Sequence, residues 1–251
     1  MIALAGGDRA LFASDMHLGD HDPATAAWFV ESLHRQASGC SHLFLLGDLF
    51  EVWVGDDQAD PASQALQACL AGLSGSGLVV SLMRGNRDFL LDTGSPRFST
   101  RCGVQLLDDP VVIDLFGRRV LLTHGDALCV DDVEYQRFRA QSRSPEWQRT
   151  LLAQPLAQRL ALARQLRERS ETEKLHKADY LMDVNDGQVA QSMVGQGVDL
   201  MIHGHTHRPA DHEFMAGGRR CQRLVLPDWD ARAGRGGFLC VDAQGWRRLA
   251  P

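Results

Sequence analysis

The 251-residue sequence predicts an α/β fold: short buried strands alternating with amphipathic helices, interrupted by one helical insert. Three observations lead there. Five apolar runs, ALFASDMH, HLFLLGD, LVVSLMRGNRD, RRVLLTHGD and VDLMIHGHTH, are bounded by Gly, Asp or Asn, as buried parallel strands are. The segments between the early runs carry helical apolar spacing, which gives the rhythm of βαβ units. Each run also stops on residue types that bind metals: Asp15 and His17, Asp48, Asn86, His124, then His205 and His207. Open α/β sheets place ligands beyond the carboxyl ends of their strands, so these side chains should converge despite their separation in sequence.

The elements follow in order. The first helix is expected over residues 23–37, with Trp28, Phe29 and Leu33 on one face, and the second over 61–73. Residues 110–122 alternate around a Phe116-Gly117-Arg118 turn, which predicts an antiparallel hairpin whose second strand delivers His124. From 131 to 196 the pattern turns helical, with Leu152, Leu156 and Leu160 at four-residue spacing and Leu162 and Leu166 continuing the stripe. The core resumes at Val198. Three later runs, at 223–226, 237–241 and 246–249, read as antiparallel strands of a second sheet. The expectation is one domain over 1–251 with a helical insert at 131–196, without internal repeats.

Composition narrows the function. With 44% hydrophobic and 23% charged residues the chain reads as a soluble globular protein. It has no run of about 18 apolar residues to span a bilayer. The opening MIALAGGDRALFAS lacks a basic leader, so a cytoplasmic location is expected. Six cysteines stand without CxxC spacing, which argues for reduced thiols and against a zinc knuckle. A net charge of −6 disfavours an extended nucleic-acid surface, although residues 133–181 are locally basic. No obligate protein partner is evident.

Hydrolysis of a phosphoester or pyrophosphate needs a nucleophilic water and a place for negative charge. Two divalent cations about 3.5–4 Å apart supply both. A bridging carboxylate must hold them so close, and Asp48, alone at its strand end, is the candidate. Asp15 and His17 alternate on an extended segment, so both can reach one cation, and His205 with His207 repeats that geometry. Oxygen and nitrogen donors without thiolate suit manganese, iron or zinc better than magnesium or calcium. One such residue at a strand end is more often a cap, but five ends bearing D-x-H, GD, GN-x-D, HGD and GH-x-H together point to a metal centre. His21, His34, His42, His176 and His212 read as ordinary solvated or locally bonded residues. His203, within HGHTH, reads as support behind the ligands.

This ordered set resembles the calcineurin-like metallophosphoesterase superfamily over about residues 11–209. The resemblance implies a β-sandwich flanked by helices, with a helical lid. Within the superfamily, SDMHLGD, GDLFEVWVGDD, GNRDFLL, HGDALCVDD, YQRFR, MDVN and HGHTHRP resemble the branch that splits the pyrophosphate of UDP-2,3-diacylglucosamine in lipid A biosynthesis, giving UMP and 2,3-diacylglucosamine 1-phosphate. Arg87 carries much of that likeness, because the superfamily usually has His there. Arginine cannot act as a general acid, but it offers phosphate a planar charged fork. A phosphoryl leaving group hardly needs protonation, so Arg87 is expected to stabilise charge.

The resemblance implies one metal at Asp15, His17, Asp48 and His207, a second at Asp48, Asn86, His124 and His205, and manganese as the ion. It assigns catalysis to Asp48, Asn86, Arg87 and His124, and substrate contacts to Asn86, Arg87, Asp132, Ser170, Lys177 and His205. Lys174 stands where relatives of that branch carry Asn, exchanging an amide contact for a cation. The insert is expected to cap the metal site and shelter acyl chains, its basic residues meeting the cytoplasmic face of the inner membrane peripherally. Two alternatives stay open: a soluble nucleotide pyrophosphatase or phosphodiesterase of the same superfamily, and a catalytically silent scaffold.

Overall fold

The computed structural model describes residues 1–174 and 183–251, with 171, 173 and 174 described by backbone alone. Among them, two six-stranded sheets pack face to face. The first runs β12 (Gly245–Leu249), β11 (Phe238–Asp242), β2 (Arg9–Ala13), β3 (His42–Leu46), β4 (Val79–Met83), β5 (Gln105–Leu107). Strands β2 to β5 are parallel, while β11 and β12 extend the sheet antiparallel. The second runs β1 (Ala3–Leu4), β6 (Val111–Leu115), β7 (Arg118–Thr123), β8 (Leu200–His203), β10 (Arg219–Val225), β9 (Asp211–Ala216).

Alternation along the strands explains the layering. Ala10 and Phe12 of β2 join Phe44, Leu122, Ile202 and Leu239 in the core between the sheets, where Phe12 and Phe44 stack at 4.8 Å. Leu11 and Ala13 point the other way, into a core with Phe29 and Leu33 of α1 (Pro23–Gln36) and Leu66 and Leu70 of α2 (Pro61–Gly75). Both strand faces are therefore dry, which is why these strands read as near-continuous apolar runs. Each of the two helices starts on an Asp-Pro pair. The Asp22 carboxylate accepts from Thr25 N at 3.2 Å, and Asp60 forms a reciprocal box with Ser63.

The hairpin around Gly117 forms as expected, with Val111 opposite Leu122. The last three runs do not share one sheet. Strand β10 lies parallel to β8, whereas β11 pairs with β2 in the other sheet. The apolar run Phe238–Val241 is buried throughout and demands a place inside a sheet, but its composition does not say beside which neighbour.

The insert comprises α4 (Val133–Ser142), α5 (Pro145–Leu152) and α6 (Leu156–Lys174). The leucine stripe is not one helix: α5 ends at Leu152, and Pro155 starts a new direction before Leu156. The following α7 (Asp186–Gln196) belongs to the outer layer of the second sheet, since Val189 and Met193 are buried against Leu121 and Met201.

Candidate metal centre

Parallel order puts the carboxyl ends of β2, β3 and β4 on one edge and those of β7 and β8 on the edge facing it. The loops there bend sharply. Asp15, His17, Asp48, His205 and His207 all have φ between 50° and 68°, a left-handed backbone that costs non-glycine residues energy. Surrounding bonds hold them in it: Asp15 N donates to Gly47 O at 3.1 Å, His17 N to Asp48 O at 3.0 Å, and Gly204 N to His124 O at 3.0 Å. A Cβ on Gly85 would overlap the Asp48 carboxylate, and one on Gly204 would overlap that of Asp15. Glycine at both positions lets the carboxylates approach the backbone.

All seven ligand candidates from the sequence come together. His17 Nε2 lies 3.0 Å from His207 Nε2, and His207 Nε2 lies 3.5 Å from Asp15 Oδ1. On the other side, His124 Nε2 lies 3.0 Å from Asn86 Oδ1 and 3.6 Å from Asp48 Oδ1. One donor atom from each of Asp15, His17 and His207, and one from each of Asp48, His124 and His205, fit within 4.8 Å of one another. The Asp48 carboxylate spans the two groups, with Oδ1 toward His124 and Oδ2 4.0 Å from His17 Nδ1.

The donor set fits cations. Buried polar atoms are normally satisfied, yet Asp15 Oδ1 and His17 Nδ1 are buried without a hydrogen-bond partner. His124 Nδ1 lies 2.9 Å from the Leu46 carbonyl. That bond requires the proton on Nδ1 and turns the Nε2 lone pair toward the centre. His203 differs: Nδ1 faces the Gly204 carbonyl at 2.8 Å, and Nε2 accepts from Arg223 at 3.2 Å. Both its nitrogens are occupied, so it backs the site without facing it.

Electrostatics describe a crowded pocket. Burial, reinforced by the charges of Asp88 and Asp15, pushes the Asp48 carboxyl up to about 7 against the pull of His124 and Arg87. Burial would also raise Asp15, but His207, His124 and His17 outweigh it and hold that carboxyl low. Burial would lower His124, but Asp48, Asp15 and Asp126 raise it to about 9. Burial, then the charge on His124, lowers His205 to about 3. Two cations would neutralise the clustered carboxylates and use the imidazole lone pairs.

Two residues that sequence reasoning missed, Glu51 and Asp126, complete the site together with Arg87 and Asp88. Arg87 N donates to Asp48 Oδ1 at 2.8 Å, while its guanidinium Nη1 donates to Glu51 Oε1 at 2.7 Å. The same Glu51 oxygen pairs with Arg167 of α6. Asp126, buried after the His124 turn, accepts from Tyr135 Oη at 2.6 Å and Arg139 Nε at 2.8 Å, which ties α4 to the centre. Asp88 accepts from Leu49 N and Gly85 N, both at 2.6 Å, and so joins the loops after β3 and β4. Glu51, Asp88 and Asp126 stand inside the words GDLFE, GNRD and HGD. That proximity was the available signal.

A cavity of about 630 Å³ opens over the centre. Asp48, Asn86, Arg87, His205 and His207 line one part of it. Trp53, Phe89, Leu90, Trp147, Leu162 and Leu166 form an apolar wall elsewhere, with arginines such as Arg137, Arg159 and Arg169 between. Asp132 and Ser170 line it as well; Asp132 also caps α4, accepting from Tyr135 N at 3.1 Å. Lys174 ends α6, its side chain outside the described residues, and Lys177 lies outside them altogether.

The model of the calcineurin-like phosphoesterases matches residues 9–209. A UDP-2,3-diacylglucosamine hydrolase of Stenotrophomonas maltophilia is 48% identical over 243 residues, 94% of this chain and 96% of its own. Enzymes of the same name from Marinobacter nauticus and Cellvibrio japonicus are each 47% identical. They cover 88% and 94% of this chain, and 89% and 95% of their own. Among solved structures, an archaeal phosphodiesterase is similar over 97% of this chain and 99% of its own, at TM-score 0.46 and 12% identity.

Proposed function

We propose that this chain, which belongs to the calcineurin-like phosphoesterase family, hydrolyses the pyrophosphate bond of UDP-2,3-diacylglucosamine to UMP and 2,3-diacylglucosamine 1-phosphate. The observation that carries this reading is one carboxylate, Asp48, spanning two donor groups at one end of a cavity that also has an aromatic and leucine wall. The names of the relatives support the substrate.

Asp15, His17, Asp48 and His207 would hold one divalent cation, and Asp48, Asn86, His124 and His205 the other, with manganese the expected ion. Such a pair supplies an activated water and neutralises phosphate oxygens. The protein's own part is orientation and charge. Arg87, pinned through its backbone to Asp48 and through its fork to Glu51, presents a fixed cation to the diphosphate. A guanidinium contributes charge and a planar donor fork, so Arg87 would stabilise the departing phosphate and not act as an acid. His205 and Asn86 reach the same end of the cavity, and Asp132, Ser170, Lys174 and Lys177 would contact the sugar and phosphate from the lid.

Helices α4 to α6 would shelter the acyl chains, since Trp147, Leu162 and Leu166 face the cavity. No described helix is long and apolar enough to cross a membrane. Access to a lipid substrate would then come through peripheral contact with the cytoplasmic side of the inner membrane, by the basic face of the insert.

The deciding experiment is a product assay with manganese. UMP release from the diacylated UDP-sugar, lost in Asp48→Ala and Arg87→Ala, is the expected result. Turnover of unacylated UDP-sugars at equal kcat/KM would overturn the substrate assignment.

A further inference from the structure

Arg159 is a buried charge on the lid that the chemistry above does not use. It is 4% exposed, one turn into α6. Its Nη1 donates to Val54 O at 2.5 Å and to Asp57 Oδ1 at 2.8 Å. Nη2 pairs with the other Asp57 oxygen, and Nε donates to Gln154 O at 3.0 Å. This is a bidentate fork with two further carbonyl acceptors, so the guanidinium is held in one geometry. Gly55, at φ 141°, makes room for it, because a Cβ there would overlap Nη1.

The location matters more than the bonds. Among the described residues Arg159 alone lines both the large cavity and a second one of about 220 Å³. The second cavity is walled mainly by Asp56, Asp57, Thr93, Gly94 and Ser95, with Leu152. It lacks the aromatic wall of the first. Along α6, Arg159 precedes Arg167 by eight residues, a rise of about 12 Å. Arg167 pairs with Glu51 at the metal end. Arg159 thus stands at the end of the lid helix remote from the cations.

We propose that Arg159, clamped by Asp57, is the end stop of the acyl cavity and sets the longest acyl chain that the enzyme accepts. This rests on the acyl-pocket reading above. A chain that fits ends against the guanidinium and buries its methylenes along Trp147, Leu151 and Leu162. A longer one must push apart a fully bonded ion pair or fold back, and neither returns the free energy of the extra methylenes. The cavity behind the stop is small, about 220 Å³, and four of its lining residues, Asp56, Asp57, Thr93 and Ser95, have polar side chains, so it offers a displaced chain little in return.

The test is a series of UDP-2,3-diacylglucosamines of graded chain length, assayed on the full manganese-loaded chain. Wild type should show a length beyond which kcat/KM falls. In Asp57→Ala/Arg159→Ala, which leaves no unpaired charge, that limit should move to longer chains. The ratio of long-chain to short-chain kcat/KM should rise on the order of tenfold for two added methylenes. Arg159→Lys, which keeps a cation against Asp57, should leave the limit in place. A merely structural role would lower kcat/KM for every length alike, and that result in the double variant would overturn the proposal.

Leu152→Ala gives an independent arm that leaves Arg159 intact. It enlarges only the smaller cavity, behind the stop, so the limit should not move; a shift would mean that the two spaces are continuous and would overturn the proposal. If wild type hydrolysed no diacylated substrate, the proposed function itself would fall, and the end stop with it. A wild type active on diacylated substrate, with a limit indifferent to the double variant, would sink the end stop alone.

Discussion

Glu51 Oε1 lies 2.7 Å from Arg87 Nη1 and also pairs with Arg167 of the lid, so one carboxylate connects the candidate phosphate-binding arginine to the helix that covers the cavity. Its other oxygen is 3.5 Å from His17 Nδ1. Charge-assisted bonds of this kind contribute about 1.5–3 kcal/mol. Glu51→Ala should therefore lower kcat/KM on the diacylated substrate by about 10- to 100-fold without unfolding the chain. Steady-state kinetics beside a circular dichroism spectrum checks this, and kinetics within twofold of wild type would refute it.

Asp48 spans both donor groups, so its loss should disturb two cations at once. Asp48→Ala is expected to drop bound manganese well below two per chain and to reduce kcat by about three orders of magnitude or more. Asp15→Ala touches one group only and should retain up to one cation. Metal content by mass spectrometry, read beside activity, distinguishes a shared ligand from two independent sites.

Cations that bind the folded chain alone must stabilise it. At a hundredfold excess over the dissociation constant the gain is about 2.7 kcal/mol for one site, which corresponds to a Tm rise of roughly 5–11 °C for a chain of this size. Thermal melts with EDTA and with added manganese give the comparison. Coincident curves would argue against binding at this centre.

Asp126 is fully buried and accepts from Tyr135 and Arg139, so it anchors α4. Removing one partner of a buried pair costs about 3–5 kcal/mol. Asp126→Ala should lower Tm on the order of 10 °C and weaken turnover of acylated substrate more than that of a small phosphodiester. A Tm within a couple of degrees of wild type would show that α4 is held by other contacts.

The strands and the convergence of the seven candidate ligands were legible because both obey short-range rules. Apolar runs ending on Asp, Asn or His mark strand ends, and parallel order makes such ends coincide. The first two helices were legible in the same local way, from apolar spacing such as Trp28, Phe29 and Leu33. The sheet assignment of residues 237–241 was not legible, since a continuously buried strand carries no label for its neighbour. The leucine spacing across Leu152 and Leu156 misled for a related reason: periodicity counts residues through a break that Pro155 imposes. Glu51, Asp126 and Arg159 escaped notice because their roles rest on partners such as Arg167, Arg139 and Asp57, which the fold supplies. Charge alone does not mark them.

The left-handed backbone at Asp15, His17, Asp48, His205 and His207 has one more consequence. Loops already bent into costly shapes and locked by main-chain bonds leave a newcomer ion little to rearrange. With nitrogen and oxygen donors already in place, the supply of divalent ions weighs heavily in deciding which one is held. The occupant recovered with the purified enzyme should then mirror the medium in which the cells grew, and exchanging one ion for another should need no refolding.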